Sequence, residues 1–267
     1  MLRARLMIER DQDGIAHIVA LSGGKDSTAM ALRLRETMDV DIPLNYVCTP
    51  TGDELPPMLD HWARLVELLG QPIIPLNTKS FRQMCEHEKA LPNWRMRFCT
   101  KLLKIQPFKR FLVSQVPCIS YVGLRADETD RDGANYGSDH HGGSVVLSTE
   151  GAFVQEYPLR DWGWGLAEVK SYLDQCGVVI PERTDCARCF YQTLGEWWLL
   201  WKQYPEIFKD AELQEIEMGA TFRSPQRDSW PADLASMRRK FESGEVPRNT
   251  KQQLDLFRQS MCRACTL

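Results

Sequence analysis

The feature that most constrains this chain is a six-residue loop at residues 22–27, Ser-Gly-Gly-Lys-Asp-Ser. It follows an apolar run at residues 17–21 and opens a segment typical of a helix, residues 28–36. A strand, a glycine turn and a helix N-terminus form an anion site, because backbone N–H groups converge there and the helix dipole favours negative charge. The lysine adds a point charge and the two serines add hydroxyl donors. The loop therefore predicts phosphate binding and, with it, a nucleotide enzyme.

The spacing of this loop is neither that of a Walker A motif nor the G-x-G-x-x-G of dinucleotide sites. A plain strand-to-helix turn, in which the glycines only relieve backbone strain, is the alternative. The residues expected to bind the nucleotide are Ser22, Gly23, Gly24, Lys25, Asp26 and Ser27.

Strand-like and helix-like segments alternate over the first 160 residues. Strands are predicted at residues 17–21, 43–48, 71–76, 118–124 and 153–159, and helices at residues 26–37, 56–69, 80–89 and 101–113. Such alternation favours a parallel sheet covered on both faces. We therefore expect an α/β protein with a doubly wound, mostly parallel sheet in residues 1–160. A mainly helical, cysteine-containing region is expected in residues 161–267.

Composition narrows the setting of the protein. The net charge of −3 gives no global signal for nucleic acid, so any such contact must rest on a local patch. No apolar stretch approaches the roughly 18 residues of a membrane span. No apolar segment of a signal peptide follows the N-terminus, and a cytoplasmic protein without membrane contact is expected. Nine cysteines then indicate thiol or metal chemistry rather than disulfides.

Two further loops follow predicted strands, where open α/β sheets place their ligands. Asp53 and Glu54 come after the second strand and are candidates for nucleotide or Mg²⁺ binding, unless they form a solvated turn. Arg125 and Arg131 come after the fourth strand and are candidates for phosphate recognition, since a guanidinium can bind two oxygens. The alternative is a loop whose acidic and basic residues pair with one another. Residues 125–144 are expected to form a long loop.

The cysteines suggest a metal site. The last four cysteines form two C-x-x-C pairs, Cys186 with Cys189 and Cys262 with Cys265. Earlier in the chain, Cys99 precedes a predicted helix. Such pairs usually indicate zinc, although thiolates also hold iron–sulfur clusters. The last pair could add a ligand, hold a separate metal, relay persulfide, or be an idle tail.

Residues 22–27 resemble the pyrophosphate loop of the N-type ATP pyrophosphatases, which share an adenine nucleotide alpha hydrolase-like fold. That superfamily includes PAPS (sulfonucleotide) reductases, tRNA thiolation enzymes and the ATP pyrophosphatase subunit of DNA phosphorothioation systems. The resemblance covers roughly residues 15–200 and extends to the loops at 51–54 and 123–131. It implies ATP in the cleft, with catalytic roles for Lys25, Asp26 and Arg125.

The cysteine pattern is similar to that of the phosphorothioation subunit and of related phage proteins. Some tRNA thiolation relatives hold a [4Fe–4S] cluster with only three cysteines. By that analogy Cys99, Cys186 and Cys189 would hold such a cluster, with zinc as the alternative. The implied function is ATP-dependent adenylation of a nucleic acid, DNA or tRNA, followed by sulfur insertion. A cysteine desulfurase would supply the sulfur, and the protein could be a homodimer.

Two other functions stay open at the sequence level. One is a sulfonucleotide reductase that uses the C-terminal thiols, although the motif Glu-Cys-Gly-x-His of those enzymes is absent. The other is a non-catalytic nucleotide-binding redox regulator.

Overall fold

A computed structural model describes residues 8–77, 79–129, 144–148, 151–225 and 227–247, with the backbone alone at residues 144–148, 151 and 152. Within these ranges no helix is long and apolar enough to cross a bilayer. The predicted contribution of residues 130–143 to a long loop lies outside the described residues.

The described strands form one six-stranded sheet in the order β3-β2-β1-β4-β6-β5. The strands are β1 (Ala16–Ala20), β2 (Leu44–Cys48), β3 (Ile73–Pro75), β4 (Cys118–Tyr121), β5 (Ser144–Ser148) and β6 (Gly151–Glu156). All neighbours pair in parallel except β5, which is antiparallel to β6. The predicted doubly wound, mostly parallel α/β sheet is confirmed. Strand β5 differs from the sequence expectation, which places residue 144 at the end of a loop; β5 forms by antiparallel pairing with β6.

The helices are α1 (Lys25–Thr37), α2 (Pro56–Leu69), α3 (Phe81–Glu88), α4 (Gln106–Ser114), α5 (Pro158–Asp161), α6 (Leu166–Gln175), α7 (Leu194–Gln203), α8 (Pro205–Met218) and α9 (Leu234–Glu242). Local chemistry explains several ends. Two prolines begin α2, and Gly70 ends it in the left-handed conformation at φ +69°. A capping box between Ser80 and Gln83 begins α3. The helix predicted at 101–113 is instead a π-helix, Thr100–Ile105, that continues into α4.

The sheet buries both faces because side chains alternate along each strand. Ala16 and Ile18 of β1 face Leu112 of α4 on one side. Val19 of β1 and Tyr46 of β2 face α1 and α6 on the other. Two apolar cores therefore enclose the sheet.

A third core joins the helices of the C-terminal region to earlier parts of the chain. Trp197 of α7, Phe208 of α8 and Phe241 of α9 pack with Phe81 of α3 and with Leu103 of the π-helix. Helix α6 lies beyond residue 160 but packs on the sheet. The cores therefore cross the boundary expected at residues 160 and 161, and that domain division stays a prediction.

Strand β1 is the point at which the sheet grows in two directions. It pairs with β2 on one side and with β4 on the other. Such a switch point leaves a crevice outside the carboxyl ends of the strands, where open α/β sheets bind ligands. The fold therefore places the loop at residues 22–27 at the edge of that crevice.

Candidate functional site

A cleft of about 1000 Å³ lies over the carboxyl ends of β1, β2 and β4. Its floor includes residues 20–22 and 122–124, at the ends of β1 and β4. One wall is the irregular segment at residues 178–186, and another is the π-helix with α4. The cleft thus joins the sheet edge to the helical core, since α7 also lines it at Leu199 and Gln203.

The loop at residues 22–27 is held in shape by its own serines. Ser22 Oγ lies 2.9 Å from Ser27 Oγ, and Ser27 Oγ donates to the carbonyl of Gly24 at 3.1 Å. The N–H of Gly24 points at Ser22 Oγ, 3.3 Å away. Helix α1 begins inside this loop, at Lys25, directly after Gly24. Its first N–H groups therefore face the cleft end of the loop. This geometry has the parts of an anion site, as the sequence predicts.

Two glycines are required by the geometry of the loop. Gly23 has φ +81°, and a Cβ there would lie 2.5 Å from the indole nitrogen of Trp62. Trp62 in turn donates to the carbonyl of Ser22 at 3.1 Å. A Cβ on Gly123 would lie 3.1 Å from the backbone of Asp26 and Ser27. The end of β4 therefore approaches the phosphate loop as closely as backbone allows.

Arg125 is predicted to bind phosphate, but in the structure its guanidinium contacts carboxylates. Its side chain is 5% exposed, and Nη1 binds both oxygens of Asp26 at 3.0 and 3.1 Å. Nε donates to Asp127 at 2.8 Å, and Nη1 lies 3.4 Å from Glu128. Three carboxylates occupy the guanidinium, so the geometry favours a positioning role for Arg125 at Asp26 over direct phosphate binding.

Lys25 is the cation of this loop that lines the cleft. Its Nζ lies 3.7 Å from Asp26 Oδ2, and both residues line the cleft. Arg125 makes two bonds to Asp26 and keeps it in place beside Lys25. Lys25 therefore brings a positive charge to the cleft at the start of α1.

Asp53 was a candidate ligand for nucleotide or Mg²⁺, and the structure gives it another partner. It accepts from Arg188 Nε at 2.6 Å and from the Arg188 backbone N–H at 2.8 Å. Its carbonyl accepts from Ala187 N–H at 2.6 Å. Burial raises the pKa of Asp53, and the guanidinium of Arg188 opposes that shift. Both carboxylate oxygens are thus committed, and Asp53 does not fit a magnesium ligand.

Glu54 is also turned toward its own loop. Its Oε1 accepts from the N–H and the hydroxyl of Thr51, both at 2.6 Å, and its Oε2 accepts from Gly52 N–H at 2.9 Å. Glu54 lines the cleft, but these bonds make it a brace of the loop after β2. The described carboxylates here therefore do not form a magnesium site, and Mg²⁺ stays an expectation from the resemblance.

The thiols are distributed over different surroundings. Cys186 lines the cleft, and its Sγ lies 3.3 Å from Thr51 Oγ1. Cys189 is buried, and Cys99 is partly buried at the start of the π-helix. Burial raises the pKa of all three thiols, to about 12 for Cys186. Within the described ranges no three Cys, His, Asp or Glu side chains form a group that could hold a metal ion.

Three predicted site residues, Arg131, Cys262 and Cys265, lie outside the described residues. Sequence reasoning also missed residues that the fold brings to the site. The segment at 178–186 covers the loop, with Thr184 Oγ1 3.9 Å from the position of a Cβ on Gly24. Lys104 and Lys109 line the cleft from the π-helix and α4. A run of lysines in a predicted helix was the available signal.

Comparison with known proteins identifies the family of the chain. The family model "Phosphoadenosine phosphosulfate reductase domain" matches residues 16–198. No curated protein matches the sequence. Among solved structures, the chain is similar to phosphoadenylyl-sulfate (PAPS) reductase from Candida auris in a phosphate complex. The identity is 15%, the match covers 62% of this chain and 75% of that chain, and the TM-score is 0.46. Because the family model spans more than half of the sequence, the chain belongs to the phosphoadenosine phosphosulfate reductase domain family.

Proposed function

We propose that this protein is an ATP pyrophosphatase that adenylates a nucleic-acid acceptor for sulfur insertion. One observation carries the proposal: the phosphate loop, with Lys25 and the start of α1, opens into the same cleft as the thiol of Cys186. The loop suits a polyphosphate, and the thiol suits sulfur chemistry next to it. Nucleotide binding is the coarser part of this function, which membership of the family supports.

In the first step an acceptor oxygen attacks the α-phosphorus of ATP. The new P–O bond forms as the bond to the β-phosphate breaks, and pyrophosphate leaves. Charge grows on the leaving oxygen, so the backbone N–H groups at Gly24 and Lys25 and the Lys25 ammonium favour the transition state over the bound substrate. Arg125 contributes by holding Asp26, and with it the first turn of α1.

In the second step a sulfur nucleophile attacks the activated centre of the acceptor. The bond from that centre to the adenylated oxygen breaks, and AMP leaves with the oxygen. The terminal sulfur of a persulfide on a partner such as a cysteine desulfurase would make this attack. A second thiol would then break the S–S bond, which leaves the sulfur on the acceptor and a disulfide between the second thiol and the donor cysteine. Cys186 supports this step, because its thiol lines the cleft beside Thr51.

Sulfonucleotide reduction is the second candidate, and the family match favours it to the same degree. A thiol of this chain would attack the sulfur of PAPS or APS and release the nucleotide. A second thiol would then release sulfite and leave a disulfide. Cys186 and Cys48 are the described thiols that line the cleft. The two reactions differ in their products, so one assay separates them.

The experiment supplies the purified protein with ATP and, separately, with APS or PAPS and a dithiol reductant. Our proposal expects pyrophosphate and AMP from ATP, increased by DNA or tRNA, and no sulfite. Sulfite without pyrophosphate would establish the reductase instead. Nucleotide binding without either product would favour the non-catalytic redox regulator.

Lys25→Met tests the role of the loop in the same assay. We expect a loss of turnover of at least about 100-fold, because a charge aimed at the leaving phosphates is removed from a sheltered site. Lys209→Met is the matched control, since Lys209 is exposed on α8, away from the cleft. Equal turnover in both variants would contradict the proposal.

The proposed steps use neither an iron–sulfur cluster nor zinc. The described thiols do not gather around a common point, so no step is assigned to an iron–sulfur cluster, and the proposed ligands Cys99, Cys186 and Cys189 rest on the resemblance. Iron and acid-labile sulfide assays on anaerobically purified protein test them. Colourless protein with stoichiometric zinc would contradict the cluster, and full iron in Cys99→Ala would contradict the three-ligand set.

A further inference from the structure

A basic stretch without carboxylates runs from the end of α3 to the turn after α4. Residues 89–117, named here the basic stretch, contain seven lysines and arginines and no Asp or Glu, in a chain whose net charge is −3. The seven are Lys89, Arg95, Arg97, Lys101, Lys104, Lys109 and Arg110. Cations of one sign so close together create a local positive potential that the net charge conceals.

Among the described residues, the exposed cations of the basic stretch lack ion-pair partners. Those with exposed side chains are Lys89, Arg95, Lys101, Lys109 and Arg110. Within the part of the chain that the structure describes, the recorded ion pairs include none of these five. Arginines elsewhere on the surface do pair: Arg82 lies 2.8 Å from Asp210, and Arg238 lies 2.9 Å from Glu212. The charges of these five exposed side chains are therefore available to an external anion.

An exposed aromatic side chain lies among these cations. Trp94 is 59% exposed, and the guanidinium of Arg95 lies 4.6 Å from the centre of its ring. Asn93 Oδ1 accepts the backbone N–H groups of Arg95 and Met96, both at 3.0 Å, and so fixes the turn that presents the indole. A solvent-facing indole beside a cation is the arrangement on which unpaired bases stack.

The basic stretch also leads into the candidate site. Downstream of Trp94, the π-helix and α4 line the cleft at Thr100, Lys104, Phe108 and Lys109. This wall lies across from the phosphate loop. Helix α4 packs on one face of the sheet, and α1, which begins in the phosphate loop, packs on the other face. A polyanion bound along the basic stretch would therefore reach the cleft.

We propose that the basic stretch binds a single-stranded segment of nucleic acid. Trp94 stacks on an unpaired base, and Arg95 and Lys101 contact phosphates. A duplex hides its base faces, so an indole offered for stacking selects unpaired nucleotides. That the bound strand is the acceptor rests on the proposed function, whereas the binding itself does not depend on it.

The test measures binding of a fluorescein-labelled 20-mer of dT or of U by anisotropy, without ATP, over a range of salt concentrations. Trp94→Ala should weaken binding roughly tenfold, and Trp94→Phe should restore most of the loss. Arg95→Ala with Lys101→Ala should reduce the slope of log K against log salt by about 1.4, near 0.7 for each lost phosphate contact.

Matched controls are Leu59→Ala for the exposed apolar side chain and Arg64→Ala with Lys209→Ala for the two charges. All three residues are exposed and lie outside the basic stretch. Unchanged binding in the Trp94 and Arg95 variants, or equal losses in the controls, would overturn the proposal. So would a duplex that binds more tightly than the single strand. Release of pyrophosphate from ATP is measured separately, so failure of this surface leaves the proposed function standing, and the reverse also holds.

Discussion

The loops after β1 and β2 each pair an aspartate with a distant arginine, but the two pairs do different work. Asp26 is 15% exposed, shares the cleft with Lys25 and is held by Arg125. Asp53 is 2% exposed and binds Arg188, which also binds Asp210 of α8 at 2.6 Å. The first pair lies at the open cleft. The second pair joins the segment at Cys186 to the sheet edge and to the helical core.

The difference shows how burial separates function from structure in one motif. Asp53 is sealed from water, and each of its carboxylate oxygens already accepts from Arg188. Asp26 lines the cleft beside Lys25, where an anion can approach. We therefore expect changes at the Asp53 pair to affect stability above all, and changes at the Asp26 pair to affect nucleotide chemistry.

Asp53→Asn should give the largest loss of stability, about 3–5 kcal/mol, because it leaves the buried guanidinium of Arg188 without its nearest charge. Urea unfolding measures the loss. The double variant Asp53→Asn with Arg188→Met should be more stable than the sum of the two single variants predicts. Strict additivity would mean that the two side chains are not coupled. Glu242→Gln, at an exposed pair with Arg238, is the control and should cost less than about 1 kcal/mol.

Glu215 sharpens the comparison, because it is a buried carboxyl that accepts backbone N–H groups of Phe222 and Leu234. Burial raises its pKa to about 7. The folded state then binds more protons than the unfolded state between about pH 4.5 and 7, so stability falls as pH rises through that window. We expect wild type to lose on the order of 2 kcal/mol between pH 5 and 7.5 relative to Glu215→Gln.

Urea midpoints of both proteins at both pH values check this expectation. The contribution of His61, whose pKa burial lowers to about 4, cancels in the difference. Glu206→Gln, exposed at the start of α8, should follow wild type. Parallel pH profiles for wild type and Glu215→Gln would show that Glu215 does not titrate in this range.

Gly23→Ala should cost about 2 kcal/mol, because φ +81° is strained for any residue with a Cβ. The new methyl group also meets Met58 and Trp62, so the phosphate loop must shift. Nucleotide affinity should fall with it. Thermal unfolding and nucleotide titration measure the two effects, with Gly177→Ala as control, since it has φ +65° in open space. Full affinity in Gly23→Ala would mean that the loop geometry is not needed.

Asp26→Asn should have the smallest effect on stability, about 1.5 kcal/mol, since it weakens charge-assisted bonds to Arg125 at a partly exposed site. Its effect on turnover of nucleotide should exceed its effect on stability. Arg125→Lys should lower turnover in the same way, because Lys cannot make the two bonds to Asp26 at once. Normal turnover in Asp26→Asn would remove Asp26 from the site. A loss of stability comparable with that of Asp53→Asn would remove the contrast between the two loops.

Local pattern was enough for much of the fold. Helix α2 lies at the predicted residues, and β1 lies within one residue of its predicted position. The π-helix and β5 were not predicted, because a π-turn has no apolar period of its own and β5 exists by pairing with β6. An anion site at residues 22–27 could be predicted, because a glycine turn between strand and helix is a local signal. Nucleotide binding by these residues stays a prediction.

The sequence by itself determined the alternation of strands and helices, the anion loop at residues 22–27 and the charge of the basic stretch. All of these depend on neighbours within a few positions along the chain. Only the tertiary structure decided that Arg125 holds Asp26 and that Arg188 holds Asp53, since these pairs join residues 99 and 135 positions apart. A carboxylate or a guanidinium looks the same in sequence whether it meets a ligand or another side chain. Burial and distance make that choice, and both are properties of the folded chain.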